Sequence, residues 1–226
     1  MLRMVALTGL GAVMYPLLKA CEARGQASSA DGKGNCVVIP HETAGPFTMD
    51  LAARPEYLRR DVTEGKTGIP LALTLTLVNV NDGCKPIANA RVDVWHCDKA
   101  GVYSGFDDGR GETFLRGIQM SDEKGRVTFD TIYPGWYHGR ATHIHFEVYL
   151  GNGRVATSQV AFPEDVTRDV YQSALYARRG QNRSVEGNAS DFVFGHPEGA
   201  LPRELCTIRG DVANGYDAAL NVGIAV

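Results

Sequence analysis

Two histidines one residue apart, His143 and His145, lie in the segment Tyr137-His138-Gly139-Arg140-Ala141-Thr142-His143-Ile144-His145-Phe146. In a strand, side chains two apart share a face, roughly 6.6 Å apart along the chain, so both imidazoles can converge on one metal while Ile144 points the other way. Imidazole pairs of this kind serve zinc, copper, nickel and iron. Their context here is phenolic. Tyr137 stands on a turn just before the histidines, and Tyr103 follows a second predicted strand, residues 91–96, in Gly101-Val102-Tyr103-Ser104. A phenolate is a hard anionic oxygen donor, and two of them beside two neutral imidazoles suit ferric iron by charge and polarity. A single tyrosine is usually a core ring with a satisfied hydroxyl, and this chain has nine, so the combination rather than either ring points to chemistry.

What must position these side chains is a set of strands. Leu71, Leu73, Leu75 and Leu77 alternate with Ala72, Thr74 and Thr76, and Val92 and Val94 alternate with Arg91 and Asp93. Period-two patterning of this kind predicts half-buried strands. Residues 126–132, 143–150, 154–162 and 216–226 read as further strands, separated by Asp82-Gly83, Lys124-Gly125, Pro134-Gly135 and Gly151-Asn152-Gly153. Turn residues at such intervals predict an all-β sandwich. Residues 163–177 alone read as helix, with Val166, Val170 and Ala174 at four-residue spacing behind an acidic start at Glu164 and Asp165. No internal repeat or linker divides residues 36–226, which read as one domain with long loops around its site.

The 226 residues are 44% hydrophobic, enough to build a core, and the formal net charge of -3 comes from mixed charges without a basic run. A nucleic-acid surface is not indicated, and a small molecule is the expected partner. Residues 1–18 carry Arg3 and then an apolar run over 5–18 with no acidic residue. That run of roughly 14 residues is shorter than the ~20 that span a bilayer, which predicts an export signal over residues 1–23 in place of an obligate membrane span. Cys21 stands where a lipoprotein-type signal would place its lipidated residue, although Lys19 fits poorly before it. Residues 24–35 are small, polar and glycine-rich, as a flexible tether would be. The expected location is therefore periplasmic, secreted or lipid-anchored at the cell envelope. Cys36, Cys84, Cys97 and Cys206 would then be free to form disulfides, and their spacing leaves all three complete pairings open.

The motifs together resemble the intradiol ring-cleavage dioxygenases, a family that includes catechol, protocatechuate and hydroxyquinol dioxygenases. The likeness runs through Trp95 and Gly101-Val102-Tyr103-Ser104, Pro134-Gly135-Trp136-Tyr137, and Arg140 followed by His143 and His145. Gln159 matches a glutamine on the family's next strand, and Gly45-Pro46-Phe47 its Gly-Pro-aromatic segment beside the substrate. The resemblance implies a prealbumin-like β-sandwich holding one non-haem iron(III) per chain through Tyr103, Tyr137, His143 and His145. It implies that Arg140 stabilises the ketonised, carbanion-like substrate, that Gln159 orients it, and that Pro46 and Arg140 line the substrate pocket. A catechol and dioxygen would be the partners, giving a muconate-type product. There is no room before Cys36 for the helical dimerisation region of catechol dioxygenases, and only His138 and Gly139 separate Tyr137 from Arg140. Both features resemble a compact, exported branch with a more open pocket. The sequence leaves the oligomeric state open.

A competing reading comes from small prealbumin-like sandwich modules that bind ligands without a metal. It accounts for Val92, Val94, Gly125, Phe129 and Tyr137 as core and turn, yet gives no reason for Tyr103, Arg140, His143 and His145 to occur together. His41, His96, His138 and His196 fall outside the ligand pattern and are expected to be structural or solvent-facing.

Overall fold

Alternation becomes structure most directly in β1, Pro70–Asn79, where Leu71, Leu73, Leu75 and Leu77 are each 2% exposed or less while Ala72, Thr74 and Thr76 are half-buried. The computed structural model describes residues 36–196 and 200–226; the expected signal and tether, residues 1–35, lie outside the described residues. β1 is the centre of the first sheet. On one side it pairs in parallel with β9, Gly215–Ile224. Its other edge takes β5, Arg126–Ile132, along most of its length and the two-residue β2, Lys85–Pro86, at its end. β8, Thr207–Asp211, closes the far edge against β9.

The second sheet is antiparallel throughout, in the order β4, β3, β6, β7, built from Arg116–Met120, Arg91–Trp95, His143–Leu150 and Gly153–Ala161. The two sheets face each other across one apolar core. β1, Val127 and Phe129 of β5, and Ala218, Leu220 and Val222 of β9 supply one side; Val92, Val94, Ile144, Phe146, Val148 and Val160 supply the other. The chain is thus an all-β sandwich, as the turn spacing predicts.

Because Val94, Ile144 and Phe146 face this core, their neighbours Trp95, His143 and His145 must face outward. Register then sets a row across the second sheet: Arg116 opposite Trp95, Trp95 opposite His145, and His145 opposite Gln159. In a simple sandwich that face would meet water. Here loops cover it, and all four side chains are 2% exposed or less.

The sequence reading missed three strands and overran one helix. β4 reads Arg-Gly-Ile-Gln-Met, with little β-branched alternation, and is fixed by its pairing with β3; β2 has only two residues, and β8 is a short exposed edge. Helix α1, Glu164–Gln172, stops where Ser173 turns to extended backbone, so Ala174 lies beyond it and is exposed. A second helix, α2, Leu201–Glu204, has four residues. Cys36 and Cys84 form a disulfide, whereas Cys97 and Cys206 are buried free thiols that burial pushes up to about 12. Among the described residues no helix is long and apolar enough to cross a membrane.

Candidate active site

β6 supplies the two histidines and the loops supply the two tyrosines. Tyr103 ends a loop wound around Asp98, whose carboxylate accepts from the amides of Ala100 and Val102 (2.8 and 3.0 Å) and pairs with Lys66 (3.0 Å). The Asp98 carbonyl also accepts from the Gly135 amide (3.2 Å), so the Pro134-Gly135 turn that carries Tyr137 is tied to the loop that carries Tyr103. Only two residues then link Tyr137 to Arg140. Gly139 makes the reversal at φ +85°, a conformation open to glycine, and the Arg140 amide donates to the Tyr137 carbonyl (3.3 Å).

These constraints bring all four expected donors together around Nε2 of His143. It lies 3.1 Å from His145 Nε2, 3.2 Å from the Tyr137 hydroxyl and 3.4 Å from the Tyr103 hydroxyl, with Nη1 of Arg140 at 3.5 Å. Nδ1 of His143 donates to the Ala141 carbonyl (2.7 Å), which leaves the Nε2 lone pair facing the cluster. His145 is stacked flat on Trp95 at 4.9 Å, and Phe47 on Tyr103 at 4.3 Å.

Electrostatics keeps the donors in the forms a cation would need or would change. Burial, reinforced by the charge of Arg140, pulls His143 down to about 3; burial and the neighbouring His143 hold His145 well below the ordinary imidazole range. Both rings are therefore neutral near pH 7. Burial pushes Tyr103 well above the usual phenol range and raises Tyr137, the latter against the pull of Arg140. Among the described residues no three His, Cys, Asp or Glu side chains gather as a metal site, so any metal in this cluster must draw on phenol oxygens.

Arg140 and Gln159 meet behind the cluster. Nη2 of Arg140 donates to Gln159 Oε1 (2.7 Å), and Gln159 Nε2 donates to the Thr43 carbonyl (3.0 Å). Gln159 is fully buried. Pro46 is exposed, standing between Gly45, against whose position the His145 ring packs, and Phe47, stacked on Tyr103. Of the remaining histidines, His41, His138 and His196 are exposed. His96 is a satisfied core residue, with Nδ1 on the Cys97 carbonyl (2.8 Å) and Nε2 on the Thr131 hydroxyl (2.7 Å), and burial draws it down to about 4.

Two neighbours escaped the sequence reading. Arg116 is 1% exposed and donates to the carbonyl and hydroxyl of Ser104 behind Tyr103 (2.9 Å each). Asp191 pairs with Arg140 at 2.9 Å, and among the described residues this is the one ion pair with both side chains buried. Neither carried a spacing signal, since each partner lies far away in sequence.

A family model described as Dioxygenase matches residues 44–181, which include all four donors, Arg140 and Gln159. Catechol 1,2-dioxygenase of Acinetobacter baylyi is 32% identical over 61% of this chain and 52% of its own length. The protocatechuate 3,4-dioxygenase beta chain of Burkholderia cepacia is 30% identical over 68% of this chain and 72% of its own. The chain thus spans about half the length of the first of these relatives. An intradiol ring-cleavage dioxygenase from Tetranychus urticae superposes with a TM-score of 0.76 at 30% identity, covering 84% of this chain and 95% of that one. With the sandwich and the matched segment in agreement, the chain belongs to the intradiol ring-cleavage dioxygenases.

Proposed function

We propose that this chain is a non-haem iron(III) dioxygenase that opens the ring of a catechol-type substrate between its two hydroxyl-bearing carbons, with dioxygen, to a muconate-type diacid. The observation that carries the reading is the convergence of two imidazole nitrogens and two phenol oxygens on one point. Four polar groups crowd a single lone pair of His143 at 3.1 to 3.5 Å, more than one acceptor can satisfy. A cation at the centre would resolve that crowding. It would also stabilise as phenolates two tyrosines that burial otherwise keeps protonated. Tyr103, Tyr137, His143 and His145 would hold it.

When bound, ferric iron would supply Lewis-acid and electron-accepting chemistry that makes a coordinated catechol reactive towards dioxygen. The protein's own residues account for the rest. The Ala141 carbonyl fixes the tautomer of His143, and Trp95 fixes the plane of His145. Arg140 has Nε and Nη2 committed to Asp191 and Gln159, which leaves Nη1 facing the cluster. A fixed positive charge there would stabilise negative charge as it builds on the substrate ring. Gln159 steadies the guanidinium by accepting from Nη2. Phe47 walls one side of Tyr103 and keeps water from the phenol.

We also propose export to an oxidising compartment, with residues 1–23 as signal, 24–35 as tether and 36–226 as catalytic domain. The Cys36–Cys84 disulfide supports that reading.

The test is iron-loaded protein offered catechol, a carboxylated catechol and a hydroxylated one, with oxygen uptake and product mass recorded. Red-brown colour, oxygen consumption and a product equal in mass to substrate plus two oxygen atoms are expected. A protein colourless with iron, or one that consumes no oxygen with any catechol, would refute the reading in favour of a metal-free binding module.

A further inference from the structure

Arg140 comes from the short turn before β6, but what holds it comes from a loop some fifty residues later, beyond the segment that the family model matches. Asp191 in that loop is 0% exposed, and every acceptor position it uses is filled by protein. Its Oδ2 accepts from Nε of Arg140 (2.9 Å) and from the amide of Ala141 (2.6 Å). Its Oδ1 accepts from the amides of Val193 and Phe194 (2.8 and 3.2 Å). One carboxylate therefore clamps the Arg140 side chain to its own backbone turn and anchors that turn to the loop. Val193 and Phe194 pack on Ala141 and Ala161, which fixes the loop against the sheet.

The hydrogen-bond pattern separates the nitrogens of Arg140 by task. Nε goes to Asp191, Nη2 goes to Gln159, and Nη1 remains, 3.5 Å from Nε2 of His143. A guanidinium is planar, so two fixed nitrogens determine where the third points. The same clamp continues towards β6, because Ala141, whose amide Asp191 holds, offers its carbonyl to Nδ1 of His143. Burial works against a charge on Asp191, yet the hydrogen bond and charge of Arg140, with the amides of Ala141 and Val193, hold its carboxyl below the usual range.

We propose that Asp191 is the positioning residue for Arg140, acting on turnover through the direction in which Nη1 faces the substrate. The proposal rests on the dioxygenase reading given above for Arg140. Asp191→Asn is the suitable variant, because Oδ1 can still accept from Val193 and Phe194 while the amide nitrogen that replaces Oδ2 cannot accept from Nε of Arg140 or from the amide of Ala141. It is expected to keep iron and the visible spectrum, to lose about tenfold or more in kcat, a common consequence of slight misplacement, and to change KM less. The deciding measurement is the double variant. If Asp191 acts through Arg140, Asp191→Asn adds less than about twofold to the loss already caused by Arg140→Ala.

A readout independent of turnover is the Nε proton of Arg140 in the metal-free protein. Its NMR signal should be protected from solvent exchange in the unaltered chain and lose protection in Asp191→Asn. Should the variant fail to fold, rapid exchange of that proton in the unaltered protein would by itself overturn the clamp. A slow Arg140→Ala beside an Asp191→Asn with unaltered kcat, or losses that multiply in the double variant, would also overturn it. An Arg140→Ala that turns over normally would sink the catalytic reading of Arg140 and, with it, any positioning role for Asp191.

Discussion

The outer faces of the two sheets differ in what covers them. On the first sheet, Thr74 and Thr128 pair their hydroxyls at 3.0 Å on a half-buried surface, and Asp217, Ala219 and Asn221 of β9 are exposed. Water satisfies that face, and the sheet serves by filling the core. On the second sheet, Arg116, Trp95, His145 and Gln159 form the equivalent row but are buried under loops. A buried polar group must find a partner or be penalised. The partners there are specific: Ser104 for Arg116, Arg140 and Thr43 for Gln159, Asp191 for Arg140. Trp95 Nε1 and His145 Nδ1 in this row have no protein partner, and the point shared by His143, His145, Tyr103 and Tyr137 is left with more donors and acceptors than it can pair. Dry coverage of a polar sheet face turns strand alternation into a site.

The largest expected effect comes from removing one member of that row. His145→Ala should lose iron and colour together and abolish turnover, read by metal analysis and the visible spectrum of the purified protein. Asn221→Ala, on the exposed face of the first sheet, should leave all three unchanged and alter stability by no more than about 0.5 kcal/mol. Full iron content and an unchanged spectrum in His145→Ala would break the comparison at its centre.

Next in size is Arg140→Ala. The guanidinium has no lone pair to give a metal, so colour should survive while kcat falls by ~10² to 10³, the usual loss when one preorganised charge-stabilising group is removed. If Arg140 instead grips only a substrate carboxylate, an unsubstituted catechol would turn over normally and a carboxylated one would bind weakly. Comparing the two substrates separates these outcomes.

How much of this was legible beforehand follows the same division. β1 and β5 announce themselves, because one wet and one dry face print apolar and polar residues alternately. The histidine pair and both tyrosines were legible for a related reason: period two places His143 and His145 on one side, and turn residues mark Tyr137. β4 was not legible, since Arg116 reads as a surface charge unless Ser104 is known to lie against it. Asp191 was invisible because its partners are 50 and 51 residues away and no local pattern records a loop folding back. Gln159 could be read as a strand residue, but its burial depends on the loop that carries Thr43.

A core substitution tests the other half of the comparison. Phe129 of β5 is fully buried in the apolar core between the sheets. Phe129→Ala should cost about 3 to 5 kcal/mol in denaturant unfolding, while the folded fraction keeps its spectrum and its kcat. A changed spectrum at temperatures where the variant is folded would mean that the core tunes the site.

The smallest expected effect concerns a carboxylate buried without the partners Asp191 enjoys. Glu204 of α2 is 0% exposed; its Oε1 accepts from the Ser158 hydroxyl (3.1 Å), and its Oε2 has no protein partner. Burial, and then the nearby charge of Glu42, raise it from an ordinary 4.5 to about 8, against weaker opposing pulls from the Ser158 hydroxyl, Arg203 and Arg140. The folded state therefore binds a proton that the unfolded chain releases, so stability from this group is complete below about pH 4.5 and is lost as pH rises towards about 8. Glu204→Gln removes that dependence while keeping a polar group for Ser158. The variant and the unaltered protein should melt together near pH 4, and the variant should melt higher by a few degrees above pH 8, with unchanged colour throughout. A gap of the same size at both ends of the range would mean that shape, and not charge, sets the difference; a variant less stable at high pH would mean that the Glu204 carboxylate is paired after all, as Asp191 is.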